Sequence, residues 1–198
     1  MGDKVKFNIK NVHIAPMTMQ GEEPTWATPI KVPGAVSFSL EPQGDVTPFY
    51  ADGILYYQSV ANNGYSGDLE VALIPVEVLK ALYGIAEGTD SKVLTENANA
   101  EPVPFALLFE EDGDTTGTRF ALYNCTATRP TRSFSTNKAG KEVQTQSVTV
   151  TAAPMEDGKV MAMTGDETPT DVRSKWYEEV YVEGATPDPA ANLEEGAV

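Results

Sequence analysis

Apolar and polar residues alternate with a period of two along most of this chain, which restricts it to strands with one buried face. Val5, Phe7 and Ile9 alternate with polar neighbours, and Val12 and Ile14 continue in the opposite phase. The one-residue slip at Lys10 and Asn11 predicts a β-bulge. Val36, Phe38 and Leu40 oppose Ser37, Ser39 and Glu41, and Leu69, Val71 and Leu73 oppose Asp68, Glu70 and Ala72. Trp26 to Val32 and the Tyr-rich run Ile54 to Ala61 are further strand candidates. Phe105, Leu107 and Phe109 alternate with Ala106, Leu108 and Glu110, while Phe120 to Ala127 is apolar on both sides, as suits a central strand. From Val143 to Ala153, the residues Val148, Val150 and Ala152 share one face, and Thr145, Ser147, Thr149 and Thr151 share the other. Asn63-Gly64 and the stretch Asp112 to Gly117 read as turns, and Asp157-Gly158 as a hairpin signal leading into Lys159 to Met163.

Helix signals are few. Pro75 can open a helix that carries Val78, Leu79 and Leu82 and stops at Gly84. Ile74 is a poor cap, so this helix depends on tertiary packing. A second short helix is expected within Thr170 to Glu179, with Val172, Trp176 and Tyr177 as its packing residues. The sum is a mainly β chain: an antiparallel β-sandwich or barrel-like domain with one flanking α-helix and a short second one. That domain is expected to cover residues 1–182. Residues 183–198 contain Gly, Pro, Ala and acids with little to bury, and read as an acidic flexible tail.

A chain of 198 residues can bury enough surface to need no covalent staples. Its one cysteine, Cys125, excludes an internal disulfide, and its apolar neighbours predict a buried, inert thiol. The N-terminal stretch has no apolar signal region, and no run is long enough to span a bilayer, so a soluble chain made in the cytoplasm is expected. A net charge of −15 with scattered basic residues argues against gripping nucleic acid, which takes clustered Lys and Arg.

No catalytic, cofactor or metal site emerges. His13 is the one histidine, with no carboxylate or cysteine at ligand spacing, and is expected to be structural. Glu110-Glu111-Asp112-Gly113-Asp114 lacks the alternating ligands of a calcium loop and reads as a solvated hairpin. There is no nucleophile elbow, P-loop or dinucleotide fingerprint. Two features are odd for a monomer. Phe49, Tyr50, Tyr56 and Tyr57 surround Asp52-Gly53 in a Pro- and Gly-punctuated stretch, which either folds back on the core or forms a contact surface. The hydroxyl row from Thr145 to Thr151 suits plain solvent exposure, and equally the wall of a water-filled pore.

The segments VPGAVSFSLEPQGDVTPFYADGILYY, ANNGYSGDLEVALIP, PFALLFEEDG, LYNCTATRP and VTVTAAPMEDGKVMAMTGD, closed by WYEEVY, occur in that order from about Lys4 to Val182. In this the chain resembles the major tail proteins of long-tailed phages and prophages of Gram-positive bacteria. The resemblance implies a virion structural protein, assembled in the host cytoplasm as hexameric rings, within which neighbouring subunits pair their sheet edges into one β-lined channel, and which stack into a hollow tail tube. It implies that DNA passes through as unbound cargo, and that the tape measure, tail terminator and tail-tip proteins are partners. The stretch Glu41 to Gly53 is implied to pack against the next ring, so Gln43, Asp45, Phe49, Tyr50, Asp52 and Tyr56 are the stacking candidates. Thr145, Ser147, Thr149 and Thr151 are the lumen candidates. Contractile-phage and bacteriocin tubes share the implied architecture. The rival from another class is a monomeric β-sandwich that recognises carbohydrate or protein through Trp26 or the Tyr cluster.

Overall fold

The computed structural model describes residues 3–21, 23–113, 115–136 and 143–184. The expected tail from residue 183 onward therefore lies almost wholly outside the described residues. Strand makes up 47% of the chain and helix 8%, so sheets set the architecture. In chain order, β1 (Lys6–Gln20), β2 (Glu23–Trp26), β3 (Ile30–Lys31), β4 (Ala35–Phe38) and β5 (Glu41–Pro42) lead into the pair β6 (Val46–Ala51) and β7 (Ile54–Val60). Strand β8 (Tyr65–Val71) precedes helix α1 (Val76–Tyr83) and the short pair β9 (Ala86–Glu87) and β10 (Leu94–Thr95). The chain closes with β11 (Phe105–Gly113), β12 (Thr118–Ala127), β13 (Gln146–Ala153), β14 (Met161–Met163) and helix α2 (Thr170–Lys175).

The main sheet runs β1-β11-β12-β13-β8-β4, antiparallel throughout. The segment from Ile30 to Phe38 then joins its two ends. Ile30 and Lys31 pair with Ile14 and His13 of β1, and the Val32 amide donates to the Val12 carbonyl. After Pro33-Gly34 the same segment crosses over: Gly34 accepts from the Ala72 amide, and Ala35 to Phe38 pair with β8. Gly34 takes φ +80, and a Cβ there would press on that of Ala72 at 2.8 Å. The result is a barrel-like antiparallel cylinder, as the alternation predicts. Open sheet rims are largely lost in this closure. Among the described residues β2, β5 and β14 remain as short edges that pair on one side, and each strand of the two small sheets β6–β7 and β9–β10 also keeps one unpaired side.

Inward-facing residues from every wall fill the cylinder, among them Val12, Leu69, Val71, Phe105, Leu107, Leu122 and Val150. Phe109 stacks on Phe120 and meets Phe38 edge-on, at 4.9 and 5.3 Å between ring centres. Helix α1 has no side-chain cap and ends at Gly84 in the left-handed region, and it sinks Val78 and Leu82 into this core. Packing holds it, as its weak N-terminus predicts. A second cluster forms on the outer face of β1, β11 and β12. There Ala15, Ala106 and Ala121 leave room for the Trp176 ring, which follows α2 and is 2% exposed. Its Nε1 donates to the Phe120 carbonyl. This outer layer explains why β11 is buried on both sides.

Several local expectations hold. Asn11 takes φ +53, and the β1–β11 register shifts between Lys10 and His13, which is the predicted bulge. Cys125 is fully buried, and burial pushes its thiol up to about 12. Others change. Trp26 to Val32 splits into β2 and β3. Phe7 is 72% and Leu73 65% exposed, because β1 overhangs the core at its start and β8 stops at Val71. The turn at Asp157-Gly158 does not join paired strands, since β13 and β14 both lie against β12.

Candidate functional site

Three surfaces or clusters carry chemistry that the core does not explain. The first is the ribbon β6–β7. Within the Pro- and Gly-punctuated stretch, Val46–Ala51 pairs with the expected strand from Ile54 as a hairpin, a two-stranded sheet of its own, while Glu41–Pro42 pairs with β8. Asp52 and Gly53 form its turn with φ +52 and +74, the geometry of a tight two-residue hairpin. A register shift between Phe49 and Tyr50 gives β7 an extra residue, and Phe49 meets Tyr56 edge-on at 6.5 Å. Val46, Phe49, Tyr50, Ile54, Leu55, Tyr56, Tyr57 and Val60 are all at least half exposed. Gln43 and Asp45 sit at the root, where amide–carbonyl bonds tie Gln43 to Gly64 and Asn63, and Ala61 to Asp45. All six stacking candidates therefore lie on one exposed arm. A lone two-stranded ribbon is marginal in water, and bare apolar faces of this extent mark contact surfaces.

The second is the outer face of β13, β8 and β4. Thr149 donates to the Asp68 carboxylate at 2.7 Å, and Thr145 and Ser37 donate to Glu70 at 2.5 and 3.2 Å. Thr151 pairs with Ser66, and Ser147 with Thr131. The four predicted hydroxyls thus share one face, though Thr145 precedes the strand proper. Asp68 and Glu70 make that face acidic as well as hydroxylated. Its hydroxyls and carboxylates make this face hydrophilic and, at Asp68 and Glu70, unfavourable to a phosphate backbone.

The third cluster was not visible in the sequence. Glu110, expected in a solvated loop, is 5% exposed. Its carboxylate accepts from Asn11 Nδ2 at 3.1 Å and the Tyr177 hydroxyl at 3.0 Å, with Arg119 Nε at 3.4 Å and Lys10 Nζ at 3.5 Å. His13 stacks on Tyr177 at 4.7 Å, and burial holds its pKa down. Burial, followed by the Glu110 charge, pushes the Tyr177 hydroxyl up. The cluster fastens the segment after α2 to the sheet. The carboxylate's partners named here all come from within the fold.

Trp26 is half-buried, with its Nε1 donating to the Tyr123 carbonyl at 3.1 Å and its ring packed on Tyr123. It is thus occupied by packing. Among the described residues no group of His, Cys, Asp and Glu is arranged to hold a metal, and no helix is long and apolar enough to cross a membrane.

No family model matches the chain, and no curated protein matches it in sequence. Solved structures do resemble it. One is a chain of the sheath–tube complex, in the extended state, of an extracellular contractile injection system, PVC. It is 12% identical over 78% of this chain and 88% of that chain, with a TM-score of 0.43. Another is the tube-terminating cap of the anti-feeding prophage, 14% identical over 81% and 93% at a TM-score of 0.42. A third is the PVC sheath/tube terminator in the extended state, 13% identical over 82% and 99%, also at 0.42.

Proposed function

We propose that this chain is the repeating, non-enzymatic subunit of a phage-type tail tube. One observation carries the reading: the β6–β7 ribbon exposes aromatic residues on an arm that its own chain does not cover. Covering that arm with another copy removes the apolar surface from water, and a heterologous contact of this kind closes into rings or extends into filaments. In this reading the ribbon packs ring on ring, while the hydroxyl and carboxylate face of β13, β8 and β4 lines the channel. DNA passes that wall unbound. Hexameric rings, a place in the virion tail, and the tape measure, terminator and tip proteins as partners belong to the same proposal, as does the long-tailed phage type.

Electron microscopy of the concentrated purified protein tests it. Hollow tubes or stacked rings are expected. Isolated monomers at every concentration and salt condition would overturn the reading, and binding of a glycan by such monomers would favour the recognition module.

A further inference from the structure

A groove of about 430 Å³ is lined by Met17, Met19, Pro24 and Met155, with Asn124 among them. Flexible thioethers make an adaptable apolar floor and pack well against aromatic rings. Glu23, Glu156 and Asp157 rim it. Lys159 pairs with Asp157 at 2.8 Å, so Glu23 and Glu156 remain as negative charge beyond that pair. An occupant should therefore be aromatic at its tip and basic beside it.

The chain carries such a feature elsewhere. Phe134 is 89% exposed, the most exposed of the large apolar side chains among the described residues. Arg132 lies two residues before it, exposed and without an ion pair among the described residues. The connection is anchored against the start of β13, by Thr131 bonding Ser147 and Gln144 bonding Ser135. Met155, by contrast, follows the end of β13. Knob and groove thus sit at opposite ends of one strand, roughly 25 Å apart at about 3.3 Å per residue. One copy cannot bring them together.

We propose that Phe134 of one copy seats in the Met17–Met19–Met155 groove of the next, with Arg132 against Glu23 and Glu156. This rests on the self-assembly reading and adds a second contact to it, separate from the aromatic arm. The other candidate occupants fit poorly. The arm carries Asp45 and Asp52 and no Lys or Arg between residues 41 and 60, and the titratable residues after Gly184 are all acidic. Both would be repelled by the rim.

The test mixes two single-cysteine additions beside the contact, Ser133→Cys and Gln20→Cys, with a short bismaleimide; native Cys125 is buried and stays silent. A crosslinked dimer should appear in the mixture and exceed that in either variant alone or with an exposed control, Lys92→Cys. In parallel, Arg132→Glu and Glu156→Arg should each raise the critical concentration for assembly about tenfold or more, and mixing the two should restore it. Tubes without the crosslink, or with unchanged assembly of both charge variants, would overturn this contact and leave the tail-tube reading intact. The crosslink without tubes would keep the contact and remove that reading. Neither crosslink nor tubes would remove both.

Discussion

Replacing Phe49 and Tyr50 together by Asp separates assembly from folding. The two rings are 58% and 65% exposed in the isolated chain. An aromatic side chain removes about 150–250 Å² from water when buried, so together they leave on the order of 200 Å² to be covered by a neighbour. At ~25 cal/mol per Å² this amounts to about 5 kcal/mol, and covering half of it still gives about 2.5 kcal/mol per contact. The critical concentration should then rise by about seventyfold, before adding any desolvation of the new carboxylates. Folding should be nearly untouched, because exposed substitutions away from packing shift stability by less than about 0.5 kcal/mol. Pelleting across a concentration series reads the first quantity, and urea titration followed by circular dichroism reads the second. Normal assembly of a normally folded double variant would refute the role given to the arm. Loss of folding would show that the ribbon packs on its own core after all.

Three further outcomes follow from the packing. Glu110→Leu should destabilise the fold by about 3–5 kcal/mol in urea, because Arg119 and Lys10 lose a carboxylate that is held out of water; a change under about 1 kcal/mol would mean the cluster is solvated. Cys125, with its thiol raised to about 12, should resist Ellman's reagent at pH 8 until the chain unfolds, and rapid labelling of folded protein would contradict its burial. Asp3 accepts from the amides of Thr116, Thr115 and Gly117 at 2.9, 2.7 and 2.8 Å, which hold its carboxyl below the ordinary value. Its tie to the turn is therefore complete above the unfolded carboxylate pKa of about 4 and is lost as pH falls through the lower folded value. Exchange of those amides at pH 6 should accelerate in Asp3→Ala, and equal protection in both proteins would exclude the tie.

Period-two reading succeeds where burial is one-sided, and its failures here have the same cause. β13 and β8 show the alternation cleanly because one face meets the core and the other meets water. The ribbon β6–β7 has no such asymmetry: both of its faces are exposed, and although Ile54 to Ala61 reads as a strand, Pro48 interrupts its partner β6, so the hairpin pairing does not show. The bulge at Asn11 was legible because a phase slip is itself a sequence pattern. Closure by Ile30 to Phe38 was not, since Pro33-Gly34 looks like a break between strands when it is the point where one segment changes partners. Glu110 was lost among acidic neighbours. Its burial depends on Tyr177, sixty-seven residues further on, and no local window contains that information. The six stacking candidates came from the family resemblance and the four hydroxyls from alternation along one strand, and the structure gathers each set onto one surface.

The crossover at Pro33-Gly34 has a consequence for how copies are kept before use. A main sheet shut into a cylinder by its own chain offers few bare backbone groups to a stray strand, so under the proposed reading unassembled copies are kept from zipping into amyloid-like aggregates along that sheet. In the proposed assembly, growth would then be left to protruding side chains with particular shapes and charges. A Gly34 substitution that loosened the seam would be expected to yield amorphous precipitate in place of ordered polymer.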